Sequence, residues 1–189
     1  MSEKDVSDLY VYGAALIARA MSIKYLHGER GLQEVMNEMR KRGYSGPSDF
    51  RTLKSRDKYP FTYSLLSLEV YRDLFGEDKM LFMARKAFHI METVGRHVNI
   101  PREPEYLFKN ADTLWSSLYA FGAIRGEKTG EKEGYLRGEG LCVTPLFCKY
   151  ITSRFLGMME AINAKNPKIE HTKCELKGDE ISEWRIIWD

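Results

Sequence analysis

The sequence predicts an α+β protein in which N-terminal helices pack with a four-stranded antiparallel sheet, and one helix lies between the two strand pairs. Three observations predict this fold class. Apolar residues recur at helical spacing over most of residues 1–117. From Leu118 onward, apolar and polar residues alternate between glycines, as they do in strands. The predicted order from that point is strand, strand, helix, strand, strand, which is typical of an α+β fold.

The first part of the chain, residues 1–117, is predicted to be mainly helical. An apolar stripe behind a candidate N-cap at Ser7 predicts a long first helix, and a short second helix is predicted at 31–42, where Gly43 ends it. A loop at 43–60 is rich in turn-forming residues. The sequence then predicts three further helices, at 61–75, 78–95 and 105–114.

The second part, residues 118–189, is predicted to contain the sheet. The segment GEKTGEKEG lies between two alternating stretches, which predicts two strands joined by a charged, glycine-rich hairpin loop. Pro145 opens a helix that is predicted to run to about residue 163. Two more strands are predicted at 168–176 and 183–188. We interpret residues 1–189 as a single domain with a helical part and a sheet-containing part.

The composition excludes several classes of protein. With 43% hydrophobic and 30% charged residues, the chain is predicted to be globular. The formal net charge of +2 gives no general attraction to nucleic acid, which we do not expect as a partner. No apolar stretch is long enough for a membrane span, and the polar, acidic start is unlike a signal peptide, so we expect a cytoplasmic protein. The three cysteines do not form a secreted disulfide pattern, which favours reduced thiols or a metal site.

The end of the chain carries the most specific pattern, C-x-x-x-G-D-x-x-S-E-W-x-I from Cys174 to Ile186. It resembles the terminal motif of the 4-vinyl-reductase domain family, which comprises predicted hydrocarbon-binding or small-molecule-binding domains. In that family a second cysteine usually occupies the position of Ser182. The resemblance covers residues 118–189. It implies an architecture related to the transport-particle subunits that hold an acyl chain and, more loosely, to heme-dependent nitric-oxide-binding domains.

The resemblance also implies a structural zinc ion beside a pocket for an aromatic ligand. In the phenol-responsive activators that contain this domain, three cysteines and an acidic residue hold the zinc. The matching positions are Cys148, either Glu170 or His171, Cys174, and Ser182.

Ligand chemistry favours Cys148, His171 and Cys174 as the predicted metal ligands, because thiols and imidazole suit zinc and a serine hydroxyl is a poor ligand. Glu170 stays open, since it is four residues from Cys174 and faces the same side of a regular strand. His171 and Cys174 are three residues apart and would face opposite sides of a regular strand, so they can share a metal only if the backbone bulges between them. The alternative stays open that Cys148 and Cys174 are structural residues without a metal. Cys142 fits no motif, and the alternative also stays open that it replaces the missing fourth ligand in a rearranged site.

A pocket for a small hydrophobic or aromatic ligand is predicted between the N-terminal helices and the sheet. The helix at 78–95 is rich in Met and Phe, which pack well in a core and can also line a pocket for a flexible apolar ligand. The predicted ligand-binding residues are Phe82, Phe88, His89, Met91, His97, Trp115, Tyr119 and Phe155. No local motif marks any histidine as an axial ligand, so heme is expected to be unlikely.

The sequence contains no motif for a catalytic nucleophile, a phosphate-binding loop, a zinc protease or a dinucleotide site. We therefore interpret the chain as a non-catalytic domain that binds or senses a small molecule, with a homodimer and a protein signalling partner expected. Two alternatives stay open. One is a reductase or carrier accessory for tetrapyrroles, and the other is a scaffold or assembly subunit.

Overall fold

The computed structural model describes residues 5–94 and 101–189 and confirms the predicted α+β class. The elements in chain order are β1 (Tyr10–Tyr12), α1 (Gly13–Lys41), β2 (Lys58–Pro60), α2 (Phe61–Phe75), α3 (Glu77–Thr93), α4 (Pro104–Lys109), α5 (Ala111–Ser116), β3 (Ala123–Gly130), β4 (Glu133–Glu139), α6 (Pro145–Ala161), β5 (Lys168–Lys173) and β6 (Ser182–Ile187). Single 3-10 turns lie at Phe50–Thr52 and Glu175–Lys177.

The four-stranded sheet has the order β3-β4-β6-β5, and all neighbouring strands are antiparallel. Leu136 on β4 lies opposite Trp184 on β6, and both side chains are fully buried. In the next register position Arg137 lies opposite Glu183, and the two side chains form an ion pair with an N–O distance of 2.5 Å. This alternation places one face of the sheet against the core, as the sequence predicts.

The β3–β4 hairpin differs from the prediction of a long glycine-rich loop. Gly130 pairs with Glu133, so the turn contains only two residues and most of GEKTGEKEG belongs to the strands. Gly126 and Gly134 lie in the strands and allow close packing, and they do not form a flexible loop. A Cβ atom on Gly126 would lie 2.3 Å from the carbonyl oxygen of Phe108, and one on Gly134 would lie 2.6 Å from the Phe108 ring. Glycine lets α4 approach the hairpin at this distance.

The N-terminal segment also differs from the prediction. Helix α1 begins at Gly13 rather than behind Ser7, because the preceding residues form β1, which pairs with β2. The two helices predicted on either side of residue 30 are present, because α1 consists of two helical segments that meet at Gly28, whose non-helical φ of 70° favours glycine. Short strands such as β1 carry too few residues for a period-2 pattern, which is why the sequence did not indicate them.

Helices α3 and α6 approach each other closely at one glycine. A Cβ atom on Gly157 of α6 would lie 1.8 Å from the carbonyl oxygen of Arg85 on α3. This contact brings α6 between α3 and the sheet, where it forms one wall of the cavity described below. Within residues 5–94 and 101–189, no helix combines the length and the apolar character needed to cross a membrane.

Candidate ligand cavity and cysteine cluster

An apolar cavity lies between helices α3 to α6 and the inner face of the sheet. The space in it that a water-sized sphere can occupy is about 30 Å³, which is much less than the roughly 300–1,000 Å³ of pockets for drug-sized ligands. A ligand of that size therefore requires the walls of the cavity to move apart. The lining side chains are Phe88, Leu107, Ala111, Leu114, Trp115, Leu118, Tyr119, Ile124, Leu136, Ile151, Arg154, Phe155 and Met158. Among the described residues of this lining, Arg154 is the one with a formal charge.

Four of the predicted ligand-binding residues line this cavity: Phe88, Trp115, Tyr119 and Phe155. Three others on α3 do not. Phe82 is 50% exposed, His89 is exposed, and Met91 is half-buried outside the lining. Seven residues separate Phe82 from His89, which puts both on the outward face of the helix. The remaining prediction, His97, falls outside the described residues.

Two buried arginines near the cavity were not predicted as site residues. Arg19 of α1 is 2% exposed and Arg154 of α6 is 9% exposed. The guanidinium carbon of Arg19 lies 5.0 Å from the ring centroid of Tyr150, and that of Arg154 lies 5.8 Å from the same centroid. Both arginines lie within apolar stripes of their helices, and this interruption is the sequence signal that could have revealed them.

Only one of the three nitrogen atoms of the Arg19 guanidinium has hydrogen-bond partners within the described chain. Its Nη1 atom donates to the carbonyl oxygen of Ser64 at 2.6 Å, to Ser64 Oγ at 3.0 Å and to Ser67 Oγ at 2.5 Å. Its Nε and Nη2 atoms are buried and have no hydrogen-bond partner within the described chain, and the same is true of the Tyr119 hydroxyl. Unpartnered buried donors are uncommon in proteins, and they call for an explanation at each site.

Arg154 donates from Nη1 to the Tyr150 hydroxyl at 3.2 Å and stacks near Phe88, with 5.7 Å between the guanidinium carbon and the ring centroid. Burial raises the pKa of Tyr150, but the charges of Arg19 and Arg154 outweigh burial and bring this pKa to about 8. Burial raises the pKa of Tyr119 to about 12. The polar end of the cavity is therefore strongly electropositive.

A second site is formed by the three cysteines. The sulfur atoms of Cys142, Cys148 and Cys174 all lie within 4.8 Å of one another, and all three residues are buried. Cys142 lies in the loop before α6, Cys148 lies in the first turns of α6, and Cys174 follows β5. The side chain of Thr144 accepts a hydrogen bond from the Phe147 N–H at 3.1 Å and caps this helix, which helps to fix Cys148.

His171 lies beside this cysteine cluster. Its Nε2 atom is 3.8 Å from the Sγ atom of Cys142, and its ring stacks on Trp184 with centroids 4.4 Å apart and planes 7° apart. The β5–β6 register shifts between His171 and Lys173. This irregularity is the kind of bulge that His171 and Cys174 would need in order to share a metal. The structure brings His171 next to Cys142, but His171 is not part of the group whose donor atoms all lie within 4.8 Å of one another. The predicted strand at 168–176 accordingly ends at Lys173.

The cluster includes Cys142, which the sequence pattern did not assign, and excludes two positions of the family pattern. Glu170 is exposed and does not belong to it. Ser182 is fully buried, and its Oγ atom donates to Glu175 Oε2 at 3.0 Å. The sequence left Cys142 open as a replacement for the missing fourth ligand but did not assign it, because Cys142 lies outside any strand or helix motif and reaches the site through the fold of its loop.

Two carboxylates hold the backbone around the cysteines. Glu175 accepts hydrogen bonds from the N–H groups of Gly140 at 2.9 Å and Leu141 at 3.2 Å, which anchors the loop that carries Cys142. Asp179 accepts from the N–H of Cys174 at 2.7 Å. Glu175 and Asp179 therefore position the segments that carry the cysteines, and neither belongs to the cysteine cluster itself.

The pKa values of the three thiols are shifted in different directions. The Cys148 thiol donates toward the Cys142 sulfur, which lowers the pKa of Cys142 to about 5 despite burial, and His171 and Ser182 add to this effect. The same hydrogen bond, with burial, raises the pKa of Cys148. Burial raises the pKa of Cys174. A thiolate at Cys142 is the form of sulfur that binds metal ions.

No family model and no curated protein matches this chain. Several solved structures share its fold across 94% of its length. An oxygen-binding H-NOX domain related to soluble guanylate cyclases, in its oxygen complex, has a TM-score of 0.70 and 9% identity over 95% of that chain. An H-NOX protein from S. oneidensis in the Fe(II)NO ligation state has a TM-score of 0.64 and 16% identity over 99% of that chain. A third, from work on heme redox potential and protein-induced porphyrin distortion, has a TM-score of 0.67 and 10% identity over 99% of that chain.

These comparisons show that the chain has the fold of H-NOX domains, which agrees with the looser kinship to heme-dependent nitric-oxide-binding domains that its terminal motif implies. They also correct one expectation from the sequence. Heme was expected to be unlikely because no motif marks an axial histidine, but the proteins that share this fold include domains studied for their heme. A local motif is a poor criterion for a cofactor that many elements enclose together.

Proposed function

We propose that this chain is a non-catalytic domain that senses a small molecule, and that the ligand occupies the apolar cavity between α3–α6 and the sheet. The observation that carries the proposal is the cavity itself, whose walls are apolar and whose one charged lining residue, Arg154, has no carboxylate partner within the described residues. Concave apolar sites with a few placed polar groups are typical of ligand pockets. The fold shared with ligand-binding H-NOX domains supports the same conclusion.

Heme is the first candidate for the ligand, because structures with this fold have been studied as heme proteins. The cavity has apolar walls and Arg154 for a carboxylate, but with about 30 Å³ of free volume its walls would have to move well apart to admit a macrocycle. Among the lining residues, Tyr119 and Met158 belong to types that ligate heme iron in other proteins. Of the histidines, His27 and His89 do not line the cavity. A bound heme would supply an iron centre able to take a diatomic gas, as the oxygen and nitric-oxide complexes of the similar structures do.

Absorption spectroscopy of the protein with hemin tests this candidate. We expect a Soret-region band that saturates at one hemin per chain and weakens in a Leu136→Trp variant, which fills the cavity from β4. An exposed control, Phe82→Trp, should leave the band unchanged. A spectrum that equals that of free hemin would remove heme as the ligand, and native mass spectrometry of the freshly purified protein would then report which other small molecule is bound.

We also propose that the cysteine cluster binds zinc. In a tetrahedral site with Zn–S bonds of about 2.3 Å and Zn–N bonds of about 2.05 Å, the sulfurs are about 3.8 Å apart and sulfur and nitrogen about 3.6 Å apart. The three sulfurs lie within 4.8 Å of one another, and His171 Nε2 is 3.8 Å from Cys142 Sγ. Three thiols and one imidazole are a donor set of the kind found in structural zinc sites, and His171, which lies outside the group of atoms within 4.8 Å of one another, would have to move closer to the other two sulfurs to complete it. Elemental analysis of the purified protein tests this proposal.

A zinc site at this cluster would agree with the resemblance to the 4-vinyl-reductase family, whose members have zinc-binding cysteines in this part of the chain. Here Cys142 provides the third sulfur, and Ser182 instead binds Glu175. The single domain, the homodimer and the signalling partner stay predictions from the sequence.

A further inference from the structure

We propose that Arg19, Arg154 and Tyr150 form an anion subsite at the polar end of the cavity, and that this subsite binds the carboxylate of an otherwise apolar ligand. The inference rests on the proposed function, because it names the chemical class of the molecule that the cavity takes. The juxtaposition that carries it is a pair of buried guanidinium groups over one tyrosine ring, adjoining an apolar space.

The first step concerns charge. Arg19 and Arg154 are 2% and 9% exposed, and neither makes an ion pair with a carboxylate in the part of the chain that the structure describes. Most arginines on this protein lie at the surface and pair with Asp or Glu, as Arg42 does with Glu38 and Asp73. Burying a charged group without a counter-charge costs several kcal/mol, so buried charges are normally paired. A bound anion would supply the missing charge.

The second step concerns hydrogen bonds. Four buried side-chain atoms have no partner in residues 5–94 and 101–189, and three of them belong to this region: Arg19 Nε, Arg19 Nη2 and the Tyr119 hydroxyl. The Nε and Nη2 atoms of one guanidinium lie side by side and form the fork that binds a carboxylate through two parallel hydrogen bonds. The free donors therefore match the geometry of a carboxylate.

The third step concerns continuity between the two spaces. Arg154 lines the apolar cavity, and it also borders a closed gap lined by Arg19, Ser22, Met83 and Tyr150, which has no room for a water-sized sphere. A ligand whose apolar body lies among Phe88, Phe155 and the sheet would direct its head group past Arg154 towards Arg19 once the side chains around this gap move apart.

The fourth step identifies the head group. Apart from the arginines and the tyrosine hydroxyls, the lining of the cavity is almost wholly apolar, so the ligand carries one small anionic group on a large apolar body. A planar carboxylate can accept from both guanidinium groups at once. The body can be a linear chain, an aromatic system or a porphyrin, because all three combine an apolar surface with a carboxylate.

Matched pairs of probes test the inference by isothermal titration calorimetry. The pairs are decanoate and 1-decanol, 1-naphthoate and 1-naphthalenemethanol, and hemin and hemin dimethyl ester. We expect at least one acid to bind more than 10-fold more tightly than its neutral partner. Arg19→Met and Arg154→Met should each weaken binding of that acid by roughly 10- to 150-fold, as expected for hydrogen bonds to a charged group, and leave the neutral partner within about 3-fold.

The control variants are Arg30→Met on the same helix as Arg19 and Lys149→Met on the same helix as Arg154, since both side chains are exposed and lie away from the cavity. Their acid affinities should equal that of the wild type. Thermal unfolding of the empty Arg→Met proteins checks that both are folded, since Arg19→Met removes a buried charge but also removes the hydrogen bonds from Nη1 to Ser64 and Ser67. If either variant fails to fold, the lysine exchange at the same position keeps the charge and should weaken acid binding by an intermediate factor.

Two results overturn the inference, and they are distinguishable. Equal binding of acid and neutral partner in all three pairs, unchanged by the arginine variants, overturns the anion subsite and leaves the ligand cavity standing. Absence of binding by every probe overturns the subsite together with the proposed function.

Discussion

The Nε2 atom of His171 lies 3.8 Å from the Sγ atom of Cys142, although 29 positions separate the two residues in the chain. Two features bring them together: the irregular pairing of β5 after His171, and the Glu175 carboxylate that anchors the loop of Cys142. Cys148 joins the same cluster from α6. Since α6 also carries Arg154 into the cavity, the cluster fixes one end of a helix whose middle contacts the proposed ligand.

The zinc proposal predicts that serine exchanges at the cluster remove the metal. In Cys142→Ser, Cys148→Ser and Cys174→Ser, zinc measured by elemental analysis should fall from about one ion per chain to near zero. The free energy of unfolding should fall by at least about 3 kcal/mol, since metal binding contributes to folding. The control is Ser22→Ala, a buried exchange on α1 that should leave the zinc content unchanged. Wild-type protein without zinc, with unchanged stability in the cysteine variants, contradicts the proposal.

Glu175 is predicted to stabilise the loop before α6. Glu175→Ala leaves the N–H groups of Gly140 and Leu141 without this acceptor, which should lower the free energy of unfolding in urea by about 2–3 kcal/mol. Glu180→Ala is the matched control, because Glu180 is exposed in the same segment, and it should change stability by less than about 0.5 kcal/mol. Equal stabilities of the two variants would show that the carboxylate does not anchor the loop.

The close contact of α3 and α6 predicts a steric effect. Gly157→Ala places a Cβ atom 1.8 Å from the carbonyl oxygen of Arg85, so the helices must separate, and we expect a loss of about 2–3 kcal/mol in the free energy of unfolding. At Gly130, in the β3–β4 hairpin, the nearest atom to an added Cβ is 3.6 Å away, and Gly130→Ala should change stability by less than about 1 kcal/mol. A Gly157→Ala protein as stable as the control contradicts the packing described for these helices.

His27 makes stability depend on pH. Its ring stacks on Phe75 at 4.0 Å and its Nε2 atom is 2.7 Å from the Tyr71 hydroxyl. Burial, and after it the charge of Lys79, lowers the pKa of His27 below its ordinary value of 6.5. As pH falls through 6.5 the unfolded chain takes up the proton before the folded one, so this contribution is present above pH 6.5 and is lost below it.

Urea denaturation at several pH values between 8 and 5 checks this sign. The free energy of unfolding of the wild type should fall more steeply below pH 6.5 than that of His27→Gln, which cannot take up the proton. The control is His89→Gln, an exposed exchange on α3 that should keep the wild-type slope. A His27→Gln slope equal to the wild-type slope would exclude His27 as the titrating group.

The sequence predicted the parts of this fold that depend on long periodic patterns. The apolar stripe of α6 and the alternation in β6 were sufficient to place both elements within two residues of their observed ends. The three-residue strand β1 was missed, since tertiary pairing decides it, whereas the boundary between two helices near residue 30 was predicted and lies at Gly28.

The residues of the cysteine cluster and of the cavity were likewise predicted only in part. The terminal motif indicated Cys174 and, through the family resemblance, Cys148 as neighbours, but Cys142 joins them only through a loop whose path is set by Glu175. Aromatic residues such as Trp115 were recognised as pocket candidates by their type. Arg19 and Arg154 were not, because an arginine in an amphipathic helix usually reaches solvent, and only the structure shows that these two are enclosed.

The central claim is that the cavity between α3–α6 and the sheet binds a small molecule, and filling it tests that claim most directly. Affinities for hemin and decanoate are measured side by side in the wild type, in Ala111→Phe, whose new ring enters the cavity, and in the exposed control Ala120→Phe. The account predicts that at least one probe binds wild type and control equally, at one molecule per chain, and binds the folded Ala111→Phe protein at least about 10-fold more weakly. Affinities that are the same in all three proteins, or no binding of either probe to the wild type, would contradict it.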